Sequence, residues 1–219
     1  MYSLSVLAKM KKINVDYYVS HIPPILKENP TGNYKYALEN GMNIIEHAVP
    51  KIPDDCLFVP EGGAFKAAKE GIRRLANEID SWAAAQGFTD LAVFLPSGTG
   101  TTALYLQKYS AFDIYTCSCV GDDAYLKEQF NALETTNHPR ILEKKQKYRF
   151  GKLYEHLFIT YKKLFNETGV EFDLLYDPIG WETLLNYPFD IPVLYIHQGG
   201  IKGNETMIER YQRKFRNFL

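Results

Sequence analysis

Leu91-Ala-Val-Phe-Leu-Pro-Ser97-Gly98-Thr99-Gly100-Thr101-Thr102-Ala103 is the stretch on which the fold turns. Leu91 to Leu95 are apolar at every position, which suits a strand buried on both faces of a parallel sheet. A Ser/Thr/Gly loop follows, and then a helix over 103–108. The order is strand, loop, helix. Glycines let such a loop turn so that several N–H groups point inward. The helix start adds its unsatisfied N–H groups and its positive dipole end. Ser97, Thr99, Thr101 and Thr102 add four hydroxyls. The combination suits a phosphate held without a fixed positive charge. A plain βα turn capped by Ser or Thr needs fewer glycines and fewer hydroxyls than these.

The same alternation extends in both directions. Upstream, Val15–Ile22 and Asn43–Val49 read as strands, with a short helix from Gly32 to Glu39 between them. Leu4, Leu7 and Ala8 mark a helical face at the start of the chain. Pro50-Lys-Ile-Pro-Asp-Asp reads as a linker. Cys56–Val59 reads as a short strand, and Phe65, Ala68, Ile72, Leu75, Ile79 and Trp82 step as one face of a long helix that Gly87 stops. Downstream, Phe112–Val120, Phe172–Tyr176 and Ile191–Ile196 read as strands. The segments 122–133, 141–147, 154–166, a start at Trp181, and 205–218 read as helices. This pattern predicts an α/β fold with a mainly parallel twisted sheet flanked by helices. It divides into a partial small lobe over residues 1–50 and a larger lobe over residues 51–219.

The 219 residues are 46% hydrophobic and 23% charged, so the chain has the material for a core. A formal net charge of -1 predicts no nucleic-acid partner. The basic-aromatic stretch Arg210–Arg216 is too short for one and reads as a solvated helix face. No apolar run approaches the ~18–20 residues of a membrane helix, and Met1–Lys9 has no signal-peptide pattern, so no membrane partner is expected. Cys56, Cys117 and Cys119 read as reduced thiols of a cytoplasmic protein, the latter two on one face of a strand. The five histidines are scattered without metal-like spacing, and no metal is expected.

Three further strand ends carry glycine: Pro60-Glu61-Gly62-Gly63, Asp177-Pro178-Ile-Gly180-Trp181-Glu182 and His197-Gln198-Gly199-Gly200. Ligands of open parallel sheets bind outside the carboxyl ends of the strands, so these turns and the Ser97–Thr102 loop can line one cleft. A Walker A loop is excluded, because no Lys-Ser/Thr pair follows the glycines. No G-x-S-x-G elbow is present, which argues against a serine hydrolase. A dinucleotide site is an open alternative. Gly98-x-Gly100-x-x-Ala103 fits its fingerprint, and Asp122 stands where the ribose-binding acid belongs. That reading makes the chain an NAD-type oxidoreductase.

Taken in order, five motifs resemble the 1-aminocyclopropane-1-carboxylate deaminase / D-cysteine desulfhydrase family. They are Thr31-Gly32-Asn33, Phe58-Val-Pro-Glu-Gly-Gly63, Leu95–Leu104, Leu175-Tyr-Asp-Pro178 and Leu194-Tyr-Ile-His-Gln-Gly-Gly200. The resemblance implies the tryptophan synthase β-subunit-like fold (fold type II of the pyridoxal-phosphate proteins) and pyridoxal 5′-phosphate as cofactor. It implies deaminase or desulfhydrase chemistry, breaking a C–N or C–S bond of a small amino-acid substrate. It places Ser97, Gly98, Thr99, Gly100, Thr101 and Thr102 around the cofactor phosphate. Gln198 falls near the pyridine nitrogen, where relatives often carry Thr. It also implies a homodimer.

Two departures stand out. The family carries a substrate-handling Tyr where this chain has Gly180, and the neighbours Trp181 and Glu182 are the candidates to replace it. The family's Schiff-base lysine lies in a Gly-Asn-Lys-x-Arg-Lys stretch that precedes a segment resembling Met1–Ala8. The lysine is therefore expected upstream of Met1, and no catalytic residue is assigned within these 219 residues. A non-catalytic remnant of the family is the third reading.

Overall fold

The structure is a computed structural model that describes residues 1–215. In chain order its elements are α1 (Tyr2–Lys11), β1 (Asp16–Val19), α2 (Pro24–Glu28), α3 (Gly32–Glu39), β2 (Asn43–Glu46), α4 (Lys69–Ala85), β3 (Ala92–Ser97), α5 (Thr101–Tyr109) and β4 (Asp113–Ser118). They continue as α6 (Asp123–Leu133), β5 (Arg140–Ile141), α7 (Glu155–Thr168), α8 (Asp177–Leu184), β6 (Val193–Tyr195) and α9 (Gly203–Lys214). The helix expected over 205–218 is therefore described as far as Lys214, and residues 216–218 of that expectation lie outside the described residues. No helix among the described residues is long and apolar enough to cross a membrane.

The chain forms two compact units. One is Met1–Phe58 together with Gly200–Leu219, and the other is Val59–Gly199. The expected division at residue 50 gave the whole C-terminal part to the larger lobe, whereas residues 200–219 go with the first unit. Polar bonds on α3 account for this. Tyr36 Oη and Gly32 N–H donate to the Glu205 carboxylate at 2.8 and 3.2 Å, and the Thr31 and Thr206 hydroxyls meet at 2.9 Å. Gly32 has a φ of +54°, and a Cβ there would lie 2.6 Å from the Thr206 hydroxyl, so both backbone and space require glycine.

In the first unit β1 and β2 are parallel, in register from Asp16↔Asn43 to Val19↔Glu46. Glu46, at the end of β2, accepts from Ile22 N–H and pairs with Lys27 and His21. The Lys27 ammonium is the main reason its carboxyl is held down at about 2. On α1 the expected apolar face is only partly buried. Ala8 and Ser5 face inward, Leu7 stays exposed, and the Ser5 hydroxyl accepts from Asn40 Nδ2 at 3.1 Å.

The second unit is built on a four-stranded parallel sheet of order β5-β4-β3-β6. Leu91 to Leu95 are 0–2% exposed, the double-faced burial that their uninterrupted apolar character predicts. Alternation along β3 feeds two cores. Val93 and Leu95 pack with Ala76, Ile79 and Ala83 of α4 and with Ala103 and Leu106 of α5. Ala92 and Phe94 face the other way, onto Leu157 of α7 and Ile179 and Leu184 of α8. Helices thus cover both sides of the sheet.

Three segments differ from the expected elements. Residues 141–147 are not helical: Arg140–Ile141 pairs with β4, and Leu142 N–H continues the ladder to Thr116 C=O at 2.7 Å. Residues 172–176 form a turn rather than a strand, because the Asp173 carboxylate accepts the N–H groups of Leu175 and Tyr176 and closes the chain on itself. Cys56–Val59 has no partner strand among the described residues, and Leu57 is 81% exposed.

Candidate active site

The strand order sets the place of the site. From β3 the chain moves through α5 to β4 and on to β5, and then crosses back to put β6 on the other side of β3. The carboxyl end of β3 is thus the point where the connections diverge, and the Ser97–Thr102 loop leaves from it. Gly100 precedes α5 in the left-handed region, with a φ of +72°. A Cβ there would overlap Phe130 and lie 2.6 Å from Leu126 Cδ1, so α6 closes the underside of the loop. The first helical bond runs from Leu104 N–H to Gly100 C=O at 2.9 Å, and no side chain caps the helix. The N–H groups of the first turn are therefore left for a ligand or for solvent.

The four hydroxyls of the loop are not equivalent. Thr116 Oγ1 donates to Leu95 C=O at 2.7 Å, so Ser97 Oγ, 2.6 Å from Thr116 Oγ1, donates to it. Ser97 is buried and its proton is spent on β4, which corrects the expectation that all four hydroxyls face a ligand. Thr99 and Thr101 hydroxyls lie 3.2 Å apart and share one proton between them, leaving the other free to donate outward. Gly98, Thr99 and Thr102 are half-buried and open to solvent. The loop fits a phosphate group through its first-turn N–H groups and the Thr99, Thr101 and Thr102 hydroxyls.

Of the other glycine turns of the second unit, one touches this loop and two reach the residue before it. Gly62 lies against Thr99: a Cβ on Gly62 would sit 2.5 Å from Thr99 Oγ1. Gln198 Nε2 donates to Pro96 C=O at 2.6 Å, tying the end of β6 to the end of β3 one residue before the loop. Gly180 lets α8 pass close to β3, its Cα facing Pro96 and the Tyr195 hydroxyl. His197 accepts Gly199 N–H at Nδ1, 3.0 Å, and its Nε2–H donates to Glu171 C=O at 2.8 Å, which fixes a neutral tautomer.

Trp181 and Glu182 have other work. The Trp181 ring stacks on Tyr195, centroids 4.4 Å apart, and its indole N–H is buried without a partner among the described residues. The Glu182 carboxylate accepts from Tyr148 Oη at 2.9 Å and Thr160 Oγ1 at 2.8 Å, an anchor between α7 and α8. Asp122 caps α6, accepting Tyr125 N–H at 2.9 Å, which holds its carboxyl below the usual range. Cap formation uses one oxygen of the carboxylate that the dinucleotide alternative reserves for ribose.

Several residues distant in sequence gather here. The Lys144 side chain is 9% exposed, and its ammonium bonds to Ser118 C=O at 2.6 Å and to Ser118 Oγ, and pairs with Asp123 at 3.5 Å. Ser118 is the register partner of Ser97, so a buried cation stands at this end of the sheet. Asp177 accepts Tyr195 Oη at 2.6 Å and Asp173 N–H at 2.8 Å. Burial pushes the Asp173 carboxyl up to about 6 and raises that of Asp177. The Cys117 and Cys119 thiols are buried 4.0 Å apart, on one side of the sheet as expected, and their mutual contact together with burial raises Cys119 well above its ordinary value.

No family model matches the sequence, and no curated protein matches it. Solved structures do. Superposition with an ACC deaminase homologue gives a TM-score of 0.70 at 17% identity, over 100% of this chain and 74% of that one. A threonine deaminase from T.th. gives 0.61 at 12% identity, over 91% of this chain and 73% of that one. The chain has their fold. At these identities the likeness is one of architecture, and it is the architecture that the sequence resemblance implied.

Proposed function

We propose that this chain holds pyridoxal 5′-phosphate, with its phosphate on the Gly98–Thr102 loop and its ring toward Gln198. We propose further that it belongs to an enzyme of deaminase or desulfhydrase type acting on a small amino acid. The observation that carries the reading is the uncapped first turn of α5, opening at the carboxyl end of β3 in a fold shared with an ACC deaminase homologue and a threonine deaminase. When bound, the cofactor supplies an electron sink for breaking a C–N or C–S bond. The chain's own part is to bind and orient. First-turn N–H groups and the Thr99 and Thr102 hydroxyls take the phosphate oxygens. Gln198 spends its Nε2–H on Pro96, which leaves its amide oxygen for the ring side. Gly62 leaves room for Thr99 beneath it, which keeps that hydroxyl at the loop. The test is thermal stabilisation of the chain by pyridoxal 5′-phosphate and by NAD. Stabilisation by the first alone supports the reading, and stabilisation by NAD alone overturns it in favour of the dinucleotide alternative.

A further inference from the structure

At Gly98 the space for a side chain is tight. Its φ lies outside the left-handed region that Gly100 occupies at +72°. A Cβ on Gly98, however, would lie 3.3 Å from the Tyr176 hydroxyl and 3.5 Å from Tyr176 Cε1. The phenol therefore closes on the loop at the residue between the end of β3 and the start of α5. It arrives from a different element, the residue that immediately precedes α8.

The rest of Tyr176 is firmly placed. Its N–H donates to Asp173 Oδ1 at 2.8 Å, and its C=O accepts Gly180 N–H at 2.9 Å and the Cys119 thiol at 3.8 Å. The ring packs on Phe150 with centroids 5.3 Å apart. The hydroxyl alone is unspent: it has no hydrogen-bond partner among the described residues, and it is not sealed from solvent. A tyrosine held at every point but its polar tip, with that tip against a phosphate-type loop, is placed to serve a ligand there.

We propose that Tyr176 is a cofactor-binding residue, donating its O–H to a phosphate oxygen of the ligand seated on Gly98–Thr102. This rests on the pyridoxal-phosphate reading of the loop and adds a side-chain donor from outside it, where Ser97 has given its own proton to Thr116. A hydroxyl donating to a phosphate oxyanion makes a short, charge-assisted bond. Burial above all keeps the phenol protonated, pushed up to about 12, so it is a donor across the physiological range.

The experiment is titration calorimetry of the full chain and of Tyr176→Phe with pyridoxal 5′-phosphate and, separately, with pyridoxal. Phenylalanine keeps the ring and its packing on Phe150. The expected result is a roughly tenfold loss of affinity for the phosphate ester in the variant, with pyridoxal affinity changed by less than about twofold. The ratio of the two affinities within one protein does not depend on the folded fraction, so partial unfolding of the variant cannot imitate the effect. A variant that binds the ester as tightly as the parent overturns the role of Tyr176 and leaves the loop reading standing. Equal losses for both ligands also overturn it, making Tyr176 a packing residue. A parent chain that binds neither molecule overturns both claims.

Discussion

Ser97 and Thr99 stand two residues apart in one loop and do different work. Ser97 is spent on Thr116, so Ser97→Ala is expected to cost about 1 kcal/mol of stability by urea denaturation and to leave pyridoxal-phosphate affinity within about twofold. A tenfold loss of affinity would return Ser97 to the ligand. Asp173 makes a second prediction. Its carboxyl rises from 3.8 to about 6 because burial disfavours its charge. The folded state therefore holds a proton that the unfolded state has lost, and stability falls as pH rises from 3.8 to about 6. Asp173→Asn keeps the oxygen that Leu175 and Tyr176 donate to. It is expected to be more stable than the parent above pH 6, by up to about 3 kcal/mol, and to show no advantage below 3.8. Denaturation midpoints across that range check it. Lys144 could not be read from sequence as a neighbour of the loop, and Tyr176 could be read only as part of a strand-end motif, without a role. They lie more than forty residues beyond it and reach it only through the order of strands. Lys144 is held by Ser118 and Asp123, so borohydride reduction of the chain with pyridoxal 5′-phosphate is expected to leave no stoichiometric lysine adduct. A stoichiometric adduct would show that a lysine of these residues reaches the cofactor aldehyde.

At the scale of elements, legibility followed burial. Leu91–Leu95 announced its burial on both faces through composition alone, and the loop and α5 followed from glycine and hydroxyl spacing. Three segments take conformations that their composition does not predict. Residues 141–147 have helix-forming lysines, but Lys144 is drawn inward to Ser118 and the chain stays irregular. Phe172–Tyr176 has the apolar content of a strand, and the Asp173 carboxylate turns it. Cys56–Val59 has it too, and nothing among the described residues pairs with it. The loop's shape is set by Gly100, where φ and space agree. Gly100→Ala would strain the left-handed turn and push Phe130 and Leu126 out of place, at an expected cost of about 2–4 kcal/mol, measured as a fall in melting temperature. A variant as stable as the parent would mean that the underside of the loop yields.

At the scale of the molecule, the chain shares its fold with an ACC deaminase homologue and a threonine deaminase, and within its second unit the connections of the parallel sheet diverge at β3, where the loop leaves. The C-terminal helix was legible as a helix, but its place with the first unit was not. That place depends on Glu205 and Thr206 meeting α3, a pairing that no local pattern announces. Everything functional rests on one claim, that the turn after β3 receives a phosphate ester of a pyridine aldehyde. The most direct measurement is the ratio of affinities of the parent chain for pyridoxal 5′-phosphate and pyridoxal. The expected ratio is at least about tenfold in favour of the phosphate ester, reversed by excess inorganic phosphate. A ratio near one, or no binding of either molecule, would contradict it.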